Sequence, residues 1–359
     1  MLATYQSDAN PSPGALGCGR GRRDTGPVTD APERLLAGEP VDGEPARPRR
    51  LADAHDDPLL RSARVHEYSR AANPIGAGIT PRIPLERFSP TLHTSVHETA
   101  VIPLDVSDAL GMPGPATSPA LFAAFVRIVP GTPLITAPES TSELVYVIAG
   151  SGTTATDDGS VEIHWGRGDV FVLPAGLAAT HHATDDATWY RVTDEPLLRH
   201  LGVTPTEPRF PATHFPAAWL DAELALVEAA PHAEDRNRIS VLLATAEQSK
   251  TLTITHVLWA MYGVVPAGAV QRPHRHQSVA LDLIIDAPEG CHTLVGRTLD
   301  AAGEIVDPVR VDWESAGAFI TPPGLWHAHY NPSDQPAHLL PIQDAGLHTH
   351  LRTLDIRFA

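Results

Sequence analysis

The residues most able to do chemistry in this chain are its histidines, 19 among 359 residues, and a few of them stand at spacings that bring imidazoles together. His274 and His276 lie in Gly268-Ala-Val-Gln-Arg-Pro-His-Arg-His, just before an apolar run. Side chains of a strand alternate between faces, so residues two apart share one. Both imidazoles therefore face one side and Arg275 the other. Further on, Pro322-Pro-Gly-Leu-Trp-His-Ala-His-Tyr-Asn331 sets a Pro/Gly turn ahead of a second same-face pair, His327 and His329. Three neutral imidazoles on facing strands, with other positions left to water or substrate, make an open metal site suited to Fe, Zn, Cu, Ni or Mn. A lone His-x-His is more often a polar surface pair; the matching histidine-bearing turn is what favours metal. The expected ligands are His274, His276 and His327. His329 is expected beside them, orienting a ligand or substrate or acting as acid/base rather than coordinating. His348 and His350 repeat the spacing near the C-terminus, where a solvated terminal strand accounts for them.

The elements that must hold these histidines are short strands. Apolar and β-branched runs at 143–148, 161–165 and 169–173, and again at 251–265, 279–285, 305–311 and 317–321, are separated by Gly, Pro and Asp. This pattern predicts an all-β barrel or sandwich. One stretch, residues 216–230, has apolar residues at helical spacing and reads as a connector. The two β-rich blocks look like copies of one unit. Gly131, Glu143, Gly150, Gly168, Pro174 and Gly176 in the first answer to the glycines and prolines around Gly268, Gly317, Pro322 and Gly324 in the second.

These residues resemble the cupin superfamily. Gly268, His274 and His276 match its first motif, and Pro322, Gly324, His327 and Asn331 match its second. The glutamate of the first motif is missing, its place taken by Ala280 or Leu281. A three-histidine, glutamate-free site followed by Ala-Leu looks like the gentisate 1,2-dioxygenase group, which includes salicylate and hydroxynaphthoate dioxygenases. The resemblance covers about residues 85–359. It implies a bicupin: two double-stranded β-helix (jelly-roll) barrels joined by a short helical connector. The expected segments are an N-terminal extension at 1–65, an N-terminal barrel at 85–205, the connector at 206–250 and the metal-bearing barrel at 251–359. In the first barrel the ligand positions of the motif hold Ala137, Glu139 and Ala179, so that barrel reads as structural; Glu139, Glu143 and His181 could form only a weak carboxylate site.

The implied activity is a dioxygenase, with one divalent metal per chain, Fe(II) first among the candidates, acting with O2 on a small hydroxylated, aromatic substrate. His329 and Gln277 are the candidates for orienting substrate or oxygen. Trp326 and Tyr330 flank His327 and are candidates for substrate contact, although strand alternation would turn both rings away from it. Two departures count against gentisate itself. Gentisate-type enzymes usually carry iron in the N-terminal barrel, and Asp282 stands where those relatives have an arginine, so it would repel a substrate carboxylate. The alternatives are another cupin metalloenzyme (isomerase, decarboxylase or biosynthetic oxidase) or a non-catalytic ligand-binding bicupin.

Composition bounds the partners. A formal charge of −17 and the lack of a basic DNA-binding element argue against nucleic acid and anionic membrane. No apolar run is long enough to span a bilayer, and the N-terminus lacks a secretory pattern. Two cysteines, Cys18 and Cys291, make no disulfide framework, so a cytoplasmic protein is expected, assembled as a homo-oligomer. Residues 1–65 are rich in Pro, Gly and charge without apolar periodicity, and read either as a disordered extension or as an over-called start. Deleting residues 1–60 is expected to leave the melting temperature and activity nearly unchanged. A large loss of thermal stability would show that the segment packs as an arm.

Overall fold

The structure, a computed structural model, describes residues 58–359; the expected N-terminal extension lies outside them up to residue 57. The chain divides into two units, Met1–Ile79 and Thr80–Ala359. In the first, the helix Tyr68–Ala71 precedes a turn in which Asn73 Oδ1 accepts the Gly76 N–H at 2.8 Å.

The second unit carries the strands. Its first part runs β1 (Arg87–Phe88), β2 (Ala100–Pro103), β3 (Phe122–Ile128), β4 (Leu134–Thr136), β5 (Ser142–Ala149), β6 (Ser151–Thr156) and β7 (Glu162–Gly166). It continues with β8 (Val170–Pro174), β9 (Ala179–Ala183), β10 (Ala187–Thr193) and β11 (Thr213–Phe215). After the helix Ala217–Glu228 come β12 (Ile239–Leu243), β13 (Trp259–Val265), β14 (Val270–Arg275), β15 (Ala280–Asp286) and β16 (His292–Gly296). The last are β17 (Val309–Asp312), β18 (Ala318–Thr321), β19 (Trp326–Tyr330), β20 (Ala337–Gln343) and β21 (Arg357–Phe358). In the N-terminal half a six-stranded sheet, β11-β8-β5-β10-β3-β2, goes with a four-stranded one, β4-β9-β6-β7. The C-terminal half repeats the plan with β1-β18-β15-β20-β13-β12 and β17-β16-β19-β14-β21. The all-β, two-barrel architecture expected from the repeat is therefore the one the chain forms.

Two edges depart from the expected segmentation. β1 precedes the first barrel in sequence, yet Arg87 and Phe88 pair with Phe319 and Ala318 of the C-terminal sheet. The segment 206–250 is not purely helical: β11 joins the N-terminal sheet and β12 pairs with β13. The apolar Ile239-Ser-Val-Leu-Leu run supplies β12, and both strands occupy backbone edges that would otherwise offer unpaired N–H and C=O groups.

The largest apolar core lies between the two six-stranded sheets. Phe125, Leu144, Tyr146, Val170 and Tyr190 meet Leu281, Leu283, Ile320, Leu340 and Ile342. Strand parity decides which face each residue serves. On β15, Leu281 and Leu283 enter the shared core, while Ile284 joins the core of its own barrel. On β10, Tyr190 and Val192 enter the shared core and Trp189 the N-terminal barrel. The helix Ala217–Glu228 is held to this core by Leu220 and Leu224.

The N-terminal barrel has a polar network in its interior. Arg191 Nε donates to Glu143 Oε1 at 2.5 Å, both side chains being buried. His181 is fully buried, with Nδ1 2.8 Å from Thr154 Oγ1 and Nε2 2.8 Å from Thr136 Oγ1. Trp165 Nε1 donates to the same Thr154 oxygen at 3.0 Å. Burial pulls His181 down to about 4, so the ring is neutral in the fold.

Two outcomes follow from these cores. Leu281→Ala removes a side chain packed between the barrels and is expected to cost about 2–5 kcal/mol. Both barrels should then lose stability in one shared transition on chemical denaturation; separate transitions with only one shifted would show that the barrels are energetically independent. The second concerns His181, which in the unfolded chain titrates near its ordinary 6.5. Between those values the unfolded chain takes up a proton that the folded barrel excludes. The stability from neutral His181 is complete above about pH 6.5 and is lost as pH falls toward about 4. The loss on moving from about pH 7 to about pH 5 should be smaller in His181→Gln than in the parent, and an equal loss would refute the assignment.

Candidate metal centre

Four imidazoles converge inside the C-terminal barrel. β14 carries His274, His276 follows it directly, and β19 carries His327 and His329; all four are buried. The pairing sets His274 opposite His327 and Gln271 opposite His329, with a bulge between Gln271 and His274. Pro273 falls in that bulge, where its missing N–H costs no ladder bond. Ring centroids lie 4.1 Å apart for His274 and His327, 4.9 Å for His276 and His327, and 5.7 Å for His327 and His329. The tightest trio by nitrogen position is His274, His327 and His329, within 4.8 Å of one another. His276 stands further from His274, at 6.2 Å between centroids.

The other ring nitrogen distinguishes the four. Nδ1 of His274 is 3.2 Å from Arg272 O, that of His276 is 2.9 Å from Ser278 O, and that of His327 is 3.1 Å from Leu325 O. A carbonyl only accepts, so each of these rings carries its proton on Nδ1 and presents a lone pair at Nε2. Ser278 Oγ, also 3.1 Å from His276 Nδ1, donates to Gln343 Oε1 at 2.7 Å. His329 is held differently: its Nδ1 lies 2.8 Å from Thr293 Oγ1, which accepts the Trp313 indole N–H at 2.8 Å. Burial pulls all four imidazoles down, His276 to about 4 and the others well below their ordinary value, with Arg238 adding to the effect. Neutral imidazole is the form that coordinates a metal.

Arg238 is the residue sequence reasoning missed. It stands just ahead of β12, and its Nη2 lies 3.0 Å from His274 Nε2 and 3.4 Å from His329 Nε2. No motif marks it; a single arginine before an apolar strand carries no signal. Burial lowers its guanidinium to about 10, against the opposing pull of Asp282. Asp282, flagged in the sequence as an unwelcome acid, accepts from Thr321 Oγ1 at 2.6 Å, and burial lifts it to about 6. The barrel interior thus holds a cation as well as the acid.

Other sequence candidates lie elsewhere. Gln277 is exposed and its Oε1 accepts the Asp355 N–H at 2.7 Å, so it does not join the cluster. Trp326 and Tyr330 are on the face of β19 opposite His327 and His329. Arg275 caps the Trp326 ring at 4.8 Å, and Tyr330 stacks on His292 at 4.9 Å. His348 and His350 sit in a helix, Ala345–Leu351, rather than the expected terminal strand, and His348 Nδ1 bonds Thr353 Oγ1. In the first barrel Glu139 is exposed, Glu143 is bound to Arg191 and His181 to two threonines, so the three form no cluster.

The donor set fits a first-row divalent ion: buried, neutral imidazoles, with nitrogens of His274, His327 and His329 within 4.8 Å of one another. Comparison with known proteins gives partial matches in sequence and a broader one in fold. A 66-residue stretch is 42% identical to 5-aminosalicylate 1,2-dioxygenase from Comamonas sp, covering 18% of this chain and 17% of that one. An 84-residue stretch is 34% identical to gentisate 1,2 dioxygenase 1 from Aquipseudomonas alcaligenes, covering 23% of this chain and 20% of that one. The matches thus span a fifth or less of these curated relatives. No family model matches the chain. The chain superposes on salicylate 1,2-dioxygenase from Pseudaminobacter salicylatoxidans with a TM-score of 0.60 at 14% identity, covering 78% of this chain and 90% of that one. A variant of that enzyme in complex with gentisate gives 0.62, covering 86% and 97%. The chain is a two-barrel cupin in fold, and it resembles the gentisate and salicylate 1,2-dioxygenases.

Proposed function

We propose that this protein is an Fe(II)-dependent dioxygenase that acts with O2 on a small, hydroxylated aromatic acid, using one metal per chain in the C-terminal barrel. The observation that carries the reading is the set of buried imidazoles of His274, His276 and His327, each with Nδ1 bonded to a main-chain carbonyl and its lone pair on Nε2, which at His274 accepts from Arg238. A bound iron would supply Lewis acidity and the redox coupling between substrate and O2. The partial likeness to aminosalicylate and gentisate dioxygenases supports that reaction class.

The protein's own residues would do the positioning. Arg238 offers guanidinium donors beside His274 and is the group suited to an anionic substituent of the substrate. It offsets the repulsion expected from Asp282, whose carboxyl is raised by burial and bonded to Thr321. The apolar packing of Val265, Ile284, Val295, Trp313, Phe319 and Leu339 keeps water out of the rest of the barrel interior. The N-terminal barrel would act as scaffold. By pairing register Thr136, rather than the Ala137 expected from the motif spacing, faces Ala179 there as His274 faces His327 in the other barrel, and neither Thr136 nor Ala179 offers an imidazole.

Anaerobic purification, elemental analysis and Fe(II) reconstitution, followed by O2 uptake on gentisate, salicylate and 5-aminosalicylate, test this. His274→Ala, His276→Ala and His327→Ala should each lose stoichiometric metal with the barrels still folded. His329→Ala should keep it and turn over slowly. Arg238→Met should raise KM for carboxylated substrates more than for a catechol lacking the carboxylate. Full metal in any of the three ligand variants removes that residue from the set, and no O2 uptake with the reconstituted protein overturns the dioxygenase reading.

A further inference from the structure

Arg238 brings a desolvated cation into the barrel with only neutral groups bonded to it. Its Nη2 lies 3.0 Å from His274 Nε2 and 3.4 Å from His329 Nε2, and its Nη1 lies 3.5 Å from Met261 Sδ. Among the described residues no carboxylate is bonded to it; Asp282, the acid that acts on it, accepts from Thr321 instead. A desolvated guanidinium on a long, flexible stem gains by swinging out to water unless the main chain beneath it is fixed. On its C-terminal side β12 does this, since Ile239 is buried and pairs with Val264. On its N-terminal side stands only a short turn, Ala233–Asp235, after which Arg236 is exposed.

The group that fixes this side is Asn237. Its Oδ1 accepts the Arg272 N–H at 2.6 Å, and its Nδ2 donates to Arg272 O at 3.2 Å. One bond needs an acceptor and the other a donor, so together they set the orientation of the amide. Arg272 lies in the bulge of β14, where the ladder to β19 is interrupted, and β21 reaches only His274 and Arg275. A single side-chain amide thus takes the place of a neighbouring strand at this edge. The same Arg272 O is 3.2 Å from His274 Nδ1. A closed loop results, from the Asn237 amide through Arg272 to the His274 ring and back through the Arg238 guanidinium.

We propose that Asn237 is a positioning residue: by bonding both main-chain groups of Arg272 it fixes the chain that delivers the Arg238 guanidinium to His274, and so sets how tightly the site holds a ligand carrying a carboxylate. It acts through Arg238 rather than on the ligand, because both ends of its amide are engaged by Arg272. Without it the turn ahead of β12 is free to move, and the guanidinium spends part of its time in solvent, away from the imidazoles. The carboxylate as occupant rests on the function proposed above; the loop of bonds does not.

The test is calorimetric binding of salicylate, and of catechol as the ligand without a carboxylate, to the full-length chain loaded with zinc(II). Arg238→Met should weaken salicylate by about tenfold, the scale of one charge-assisted hydrogen bond, and leave catechol within about twofold. Asn237→Ala should weaken salicylate by roughly threefold or more with catechol again spared, and add less than about twofold to Arg238→Met, because the two residues act as one unit. Asn237→Asp, of the same shape, sets an acceptor against Arg272 O and should give the same selective loss. Salicylate affinity unchanged in either folded Asn237 variant overturns the proposal, and so do equal losses for both ligands or full additivity with Arg238→Met. In the parent the Arg272 amide should be protected from hydrogen exchange; an unprotected amide overturns the proposal even if neither variant folds. No selectivity in Arg238→Met itself overturns the role given to Arg238, and this proposal with it. Affinities as expected without O2 uptake by the Fe(II)-reconstituted protein count against the dioxygenase reading alone.

Discussion

Four imidazoles buried in one barrel can coexist only if they stay uncharged, and much of the C-terminal half is arranged around that demand. Protonating any one would place a cation in a desolvated interior beside three rings and the Arg238 guanidinium, which is why all four are pushed down. Neutral rings still have to satisfy one N–H each. The main-chain carbonyls of Arg272, Ser278 and Leu325 meet that need for three of them, two residues from or before the ring they serve. The bulge around Pro273 and the Pro/Gly turn before β19 thus do more than end strands: they turn carbonyls toward the rings of His274 and His327.

The charge that does remain in the interior is distributed over two strands. Asp282 on β15 is bonded to Thr321, and Arg238 arrives from the start of β12, a strand at the far edge of the same sheet. Each moderates the other's titration, yet they form no direct ion pair. The guanidinium points at His274 and His329 instead, where an anionic ligand would meet it.

Duplication explains the contrast between the barrels. A Trp–Thr–His hydrogen-bond relay survives in both, as does the pairing of β9 with β4 and of β19 with β14. In the first barrel Thr136 closes the relay and an Arg191–Glu143 pair fills the interior. The two barrels nonetheless share, between their large sheets, the apolar core that includes Tyr190 and Leu281.

The strand alternation, the twin His-x-His segments and the Pro/Gly turns determined the all-β duplicated fold and the convergence of His274, His276, His327 and His329, because periodicity of two and turn chemistry are local properties. The same alternation turned Trp326 and Tyr330 away from the site. What the tertiary structure decided was everything that depends on which strands meet. Arg238 entered the site because β12 closes the edge of the C-terminal sheet, and β1 crossed from the first block to the opposite edge of that sheet. Gln277 left the site because its amide found the Asp355 N–H at the surface. Thr293 and Trp313 became partners of His329 only through the pairing of β16 with β19 and β17. Contacts between residues far apart in sequence carry no local pattern, so only the folded sheets could bring these groups together.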